Sequence, residues 1–148
     1  MQKLDSIEKK IDECCAPSCL DFTAQQAASL PNPYSAMVGT RRFVFSTTNS
    51  AGLEVKPNPP SASNGLRIPF DLAVEISPPC KKVTVEGSSY STLKWEAFDS
   101  AGNVLVSNPP PPAPRNSSYV FEVAGDVARI EFKSQNEDDI KKICCLAH

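Results

Sequence analysis

A chain of 148 residues with 15 basic and 17 acidic side chains and a net charge of −2 is one domain's worth of protein, long enough to bury about 68–70% of its unfolded surface. It has no basic stripe, which argues against nucleic acid as a partner, and no run of about 18 apolar residues, which excludes a membrane-spanning helix. A core of this size does not depend on disulfides, so its six cysteines need another explanation.

The first element expected is an amphipathic helix over residues 3–15. Leu4, Ile7, Ile11 and Cys14 recur three and four apart, and charged residues fill the other faces. A lone helix of this length is marginal in water, so it must dock, either on its own domain or on copies of itself. In the second case Leu4, Ile7 and Ile11 are the oligomerisation stripe. Pro17 ends the helix. The first fifteen residues are charged throughout and lack the apolar stretch of a secretory signal. If Met1 is native, the chain is made in a cytosol and does not enter the Sec pathway.

From Leu20 onward the apolar period changes to two. Residues 42–46 and 52–55 read as short strands. Leu66, Ile68, Phe70, Leu72, Val74 and Ile76 then alternate with mostly polar residues, as in a sheet with one buried and one solvated face. Pro69, on the expected solvated face, marks an edge or a break between two strands. Val83 and Val85, then Leu93, Trp95 and Ala97, continue the alternation. Asp99–Asn103 reads as a turn with a glycine at positive φ, followed by a strand over residues 104–106. Tyr119, Phe121 and Val123 form the next strand, Ala124-Gly125-Asp126 a turn, Ala128, Ile130 and Phe132 another strand, and residues 140–146 the last. The 14 prolines, nearly double the usual share of about 5%, fall mostly between these runs. Eight or nine short strands without βαβ alternation predict an all-β protein, a jelly-roll β-sandwich over residues 20–148, preceded by a helical, cysteine-rich connector over residues 1–19.

Catalytic chemistry is thinly represented. The only histidine, His148, is the last residue, a poor mount for a general base. There is no phosphate loop, zincin motif or calcium loop. Asp138 and Asp139 are adjacent and read as solvated turn residues instead of an acid/base pair. The expectation is a protein that is not an enzyme and carries no cofactor or metal.

The cysteines carry the strongest signal. Cys14, Cys15 and Cys19 lie near one end, Cys144 and Cys145 near the other, and Cys80 between them. Three readings are open. Zinc would use thiolates from both ends, but only Cys15-x₃-Cys19 resembles a zinc knuckle. An inert, buried thiol suits Cys80. Intermolecular disulfides suit Cys14, Cys15, Cys19, Cys144 and Cys145, because Cys144 and Cys145 in a strand face opposite sides and can reach two partners. Among the aromatics, Trp95 reads as core. Tyr34 and Tyr90, in or near loops, are candidate ligand contacts in a carbohydrate-binding or adhesive module with surface glycans as partners. Asn116-Ser117-Ser118 matches a glycosylation acceptor, relevant only to a eukaryotic secretory route.

Gly65 to Val106, with Leu66-Arg67-Ile68-Pro69-Phe70-Asp71-Leu72, Pro79-Cys80 and Glu96 to Val104, resembles bacterial galactose-binding-like jelly-roll modules of extracellular proteins, as do Ala128–Phe132 and Ile143–Cys145. The tail Cys14-Cys15-x₃-Cys19 is similar to the N-terminal connector of Ena-type spore-appendage subunits. That resemblance implies a homo-oligomeric, open-ended fibre whose connector cysteines bond to preceding subunits. It also implies a location at a spore or cell surface, or outside the cell, reached by lysis of the mother cell. A fibre or surface-layer subunit is therefore the expected function, and a glycan-binding module oligomerised by residues 3–15 the alternative.

Overall fold

The computed structural model describes residues 18–58, 61–90, 93–106, 117–135 and 138–146. The expected helix with Leu4, Ile7 and Ile11, together with Cys14, Cys15 and His148, lies outside them. The described residues form twelve strands and one 3-10 turn, Phe22–Ala24. In chain order the strands are β1 Ser18–Asp21, β2 Ala28–Leu30, β3 Tyr34–Val38, β4 Arg41–Ser46, β5 Leu53–Asn58, β6 Ser61–Ile68, β7 Asp71–Ser89, β8 Lys94–Phe98, β9 Val104–Val106, β10 Ser117–Lys133, β11 Asp138–Ile140 and β12 Lys142–Leu146. The sandwich expectation holds: an eight-stranded and a four-stranded antiparallel sheet enclose one core.

The larger sheet runs β1-β12-β7-β10-β8-β9, with β4 also paired to β7 and β3 to β4; the smaller runs β11-β6-β5-β2. β7 and β10 are long because each serves two neighbourhoods. The first part of β7, Ala73 to Ser77, pairs with β4, and the later part, Lys82 to Glu86, with β12. β10 accompanies β7 along its other side, and only its last residues, Arg129–Lys133, also pair with β8.

Alternation explains which residues meet in the core. Leu72, Val74, Ile76, Val83 and Val85 from β7, Tyr119, Phe121, Val123, Ile130 and Phe132 from β10, and Leu53, Val55, Leu66 and Ile68 from the smaller sheet are all buried. Fully burying each large aliphatic or aromatic side chain is worth about 1.5–3 kcal/mol. Trp95 belongs here as expected, 7% exposed and stacked on Phe121 at 4.0 Å.

Three local expectations change. The run from Leu66 to Ile76 is two strands in different sheets. The break comes at Pro69-Phe70, but Pro69 is buried, while Phe70 turns outward with φ 60° and is 59% exposed. A main-chain bond from Asp71 N–H to the Pro69 carbonyl (2.6 Å) closes the corner. Ala124-Gly125-Asp126 is not a turn: β10 passes through it with a register shift and Gly125 at φ 127°, the geometry of a bulge that bends a continuous strand. The boundary drawn after residue 19 falls inside β1.

Candidate functional site

β12 carries the vicinal cysteines and lies between β1 and β7. Strand alternation sends Cys144 outward and Cys145 inward, as its sequence position requires. Cys144 is directly opposite Cys19 of β1 and bonded to it, Cα–Cα 4.0 Å. Cys145, 1% exposed, is bonded in the core to Cys80 of β7, which is fully buried, Cα–Cα 5.6 Å. The expectation of two partners on two sides is met, but both partners belong to the same chain. Cys19, Cys144 and Cys145 are therefore corrected from intermolecular to intramolecular cross-links, and Cys80 from an inert thiol to a bonded one. The reason is topological. An edge-strand β12 would have offered its outer sulfur to a neighbour, whereas an inserted β12 finds β1 on one side and β7 on the other. The bridges close loops of 125 and 65 residues, each worth about 4–5 kcal/mol in the chain-entropy limit.

Asp138 and Asp139 are also corrected. Both are fully buried in β11, which pairs with β6. Asp138 accepts bonds from the Tyr90 N–H (2.8 Å) and the Ser134 hydroxyl (2.6 Å). Asp139 accepts from the Ser88 N–H (2.7 Å) and pairs with Lys141 Nζ (3.0 Å), which also donates to the Ser63 carbonyl (2.7 Å). The Tyr119 hydroxyl donates to the Asp139 carbonyl (2.7 Å). Burial pushes the Asp139 carboxyl above its ordinary range against the opposing pull of Lys141. Burial, reinforced by both carboxylates, pushes the Tyr119 phenol well up, so it remains a donor. Buried charges persist only when paired and hydrogen-bonded in this way. The available sequence signal was a pair of glycines inside strands, Gly65 and Gly87, which mark close backbone approach. A Cβ on either would overlap Asp139.

On the outer face of the larger sheet, Phe98 of β8 lies in register with Arg129 of β10. The Arg129 guanidinium is held between Glu75 (2.8 Å) and Glu131 (3.3 Å). These residues line an open cleft of about 530 Å³, walled by Asp99, Ser100 and Gly102. The Asp99 carboxylate accepts from the Asn103 N–H (2.8 Å) and the Ala101 N–H (3.0 Å), which hold it below its ordinary range. The glycine expected at positive φ is Gly102, at 86°. Tyr34 and Tyr90 do not line this cleft. Tyr34 is half-buried against Phe45; Tyr90 is 42% exposed beyond the end of β7. The structure does not bring them together with the cleft residues. Among the described residues no group of three or more His, Cys, Asp or Glu side chains could hold a metal ion, and no helix is long and apolar enough to cross a membrane.

No protein-family model matches the chain, and no curated protein is similar to it. Solved structures that match over most of the chain include two bacterial ones. One comes from work on the Ruminococcus flavefaciens cellulosome and its expansion in glycan recognition: 16% identity over 90% of this chain and 97% of that one, TM-score 0.38. The other is the K1 cleaved adhesin domain of Lys-gingipain from Porphyromonas gingivalis W83: 11% identity, 88% and 95% covered, TM-score 0.37. Likeness at this level bears on neither ligand nor function.

Proposed function

We propose that the chain is a structural subunit of a self-assembling, disulfide-cross-linked fibre or surface layer outside the cell, with a building role and no catalytic one. The observation that carries this is the division of the cysteines. Four of the six are closed in pairs within the chain. The remaining two, Cys14 and Cys15, are neighbours in sequence, and adjacent residues are poorly placed to bond each other. Two thiols on one short segment give each subunit two covalent valences, enough to propagate a chain of copies. Two internal bridges also fit an oxidising environment. Such a subunit would resemble a spore-appendage protein in carrying its links on an N-terminal cysteine tail.

Non-reducing electrophoresis of the oxidised protein tests this. The expected result is a ladder that collapses on reduction and is absent in the Cys14→Ser/Cys15→Ser variant, which keeps the fold. A single monomer band from oxidised wild type overturns it. One observation favours a second reading, a glycan-binding module: the cleft that sets Phe98 beside the Glu75–Arg129–Glu131 array. Oligosaccharide binding lost in Phe98→Ala, with no ladder in wild type, would put that reading first.

A further inference from the structure

We infer that successive copies join through two particular strand edges, β1 of one copy and Val120–Val123 of β10 in the next, so that the larger sheet continues from subunit to subunit. This rests on the assembly reading above and specifies its contact.

Among the described strands, β1 pairs only with β12, and Val120–Val123 pair only with β7, because β8 joins β10 no earlier than Arg129. These are the two outer edges of a four-strand unit, β1-β12-β7-β10. Its rows are level: Asp21–Lys142–Glu86–Val120, Leu20–Ile143–Val85–Phe121, Cys19–Cys144–Thr84–Glu122 and Ser18–Cys145–Val83–Val123.

Three properties make the edges complementary. First, each neighbouring pair in the unit is antiparallel, so β1 runs opposite to β10. A copy displaced across the sheet by four strand spacings, about 19 Å, presents its β1 antiparallel to β10 without being turned over. Second, the pleat agrees: Leu20 and Phe121 share a row and pack on the core side, so the apolar face continues. Third, charges do not oppose one another. With the rows kept level, Asp21 falls beside Val120 and Glu122 beside Cys19, while Glu122 is already paired with Lys82. Neither stretch contains a proline, a lysine or a bulge, three of the devices that guard an edge; each carries a single carboxylate, Asp21 or Glu122, which in this register meets no like charge. Val120, 60% exposed on the receiving edge, would gain a neighbour. The contact joins different patches and does not close on itself, and sheet twist turns the row into a helical filament.

Site-directed cross-linking tests it. Asp21 and Val120 share a row but are three strand spacings apart within one copy, about 14 Å, beyond the reach of a disulfide. Between copies they are neighbours. In the Cys14→Ser/Cys15→Ser background, oxidation of Asp21→Cys/Val120→Cys is expected to give a ladder of several multiples, with peptide mapping locating the new bond between residues 21 and 120 of different copies. Either substitution alone should give no more than a dimer. Both positions lie outside the buried core, and far-UV circular dichroism checks that the fold is retained. If wild type forms its ladder but the double variant gives no 21–120 bond, the edges are wrong and the assembly reading stands. If wild type forms no ladder and the double variant no 21–120 bond, both fall.

Discussion

Gly87 lies in the interior of a 19-residue strand, where glycine costs about 0.5–1 kcal/mol relative to a residue with a side chain. It is retained because the Asp139 carbonyl and the Tyr119 hydroxyl occupy the space a Cβ would need. Gly87→Ala is therefore expected to destabilise by about 3 kcal/mol, the upper end of overpacking costs, measured as a lower urea midpoint. The adjacent Ser88 gives the control. Its hydroxyl is buried without a hydrogen-bond partner, so Ser88→Ala should be neutral to slightly stabilising. Two carboxyls set opposing pH dependences. Burial raises the Asp139 pKa above its ordinary 3.8, so the folded state holds that proton more tightly. Its contribution to stability is greatest in acid and declines as pH rises from about 3.8 through the higher folded value. At Asp71 burial alone would raise the pKa, but bonds from Thr48 and Thr47 outweigh it and the net shift is downward. That contribution is present above 3.8 and is lost as pH falls through the lower folded value. Urea unfolding between pH 2 and 7 should show Asp71→Asn removing part of the acid loss and Asp139→Asn removing the decline on the alkaline side.

At the scale of the element, β12 is the clamp of the molecule. It binds edge strand β1 on one side through Cys19–Cys144 and reaches β7 through Cys80–Cys145. The two bridges do different work. β1 has four residues, all half-buried, held by its ladder with β12, the outer bridge, the packing of Leu20 on the core and the buried Phe22 that follows. Cys19→Ser/Cys144→Ser is expected to remove hydrogen-exchange protection from Ser18–Asp21 while β12 stays protected. Cys80→Ser/Cys145→Ser buries two hydroxyls in the core and should cost more global stability, about 3–5 kcal/mol, read as a lower denaturation midpoint. The closed loops overlap in sequence, so removing all four cysteines should cost less than the two losses added together.

Across the whole molecule, β7 and β10 make one sheet serve two purposes. Their Asp71–Ser77 and Arg129–Lys133 ends lie between β4 and β8, with the Phe98–Arg129 cleft on the outer face. Their other ends lie between β12 and an edge that no described strand covers. The bulge at residues 124–127 separates the two regions. The core formed by the described residues, with Cys80–Cys145 inside it, is built within one copy. If copies join as proposed above, assembly adds edges and tail links without refolding the subunit.

Much of this was legible in the residues. Alternation is local, so the faces of β7, β8 and β10, the core position of Trp95, a break as one of two readings of Pro69, the positive φ of Gly102 and the opposite orientations of Cys144 and Cys145 follow from the order of side chains along each strand. Short strands such as β2 and β11 have too few residues to show a period, and the bend in β10 carries the same Gly-Asp pair as a turn. Which strand stands beside which depends on contacts far apart in the chain. Cys144 meets Cys19 across 125 residues and Cys145 meets Cys80 across 65 because β12 inserts between β1 and β7. Asp139 is buried because β11 closes over two glycines from other strands. Side-chain order determined the two directions in which the sulfurs point; only the packing of the sheet decided that their partners lie in the same molecule.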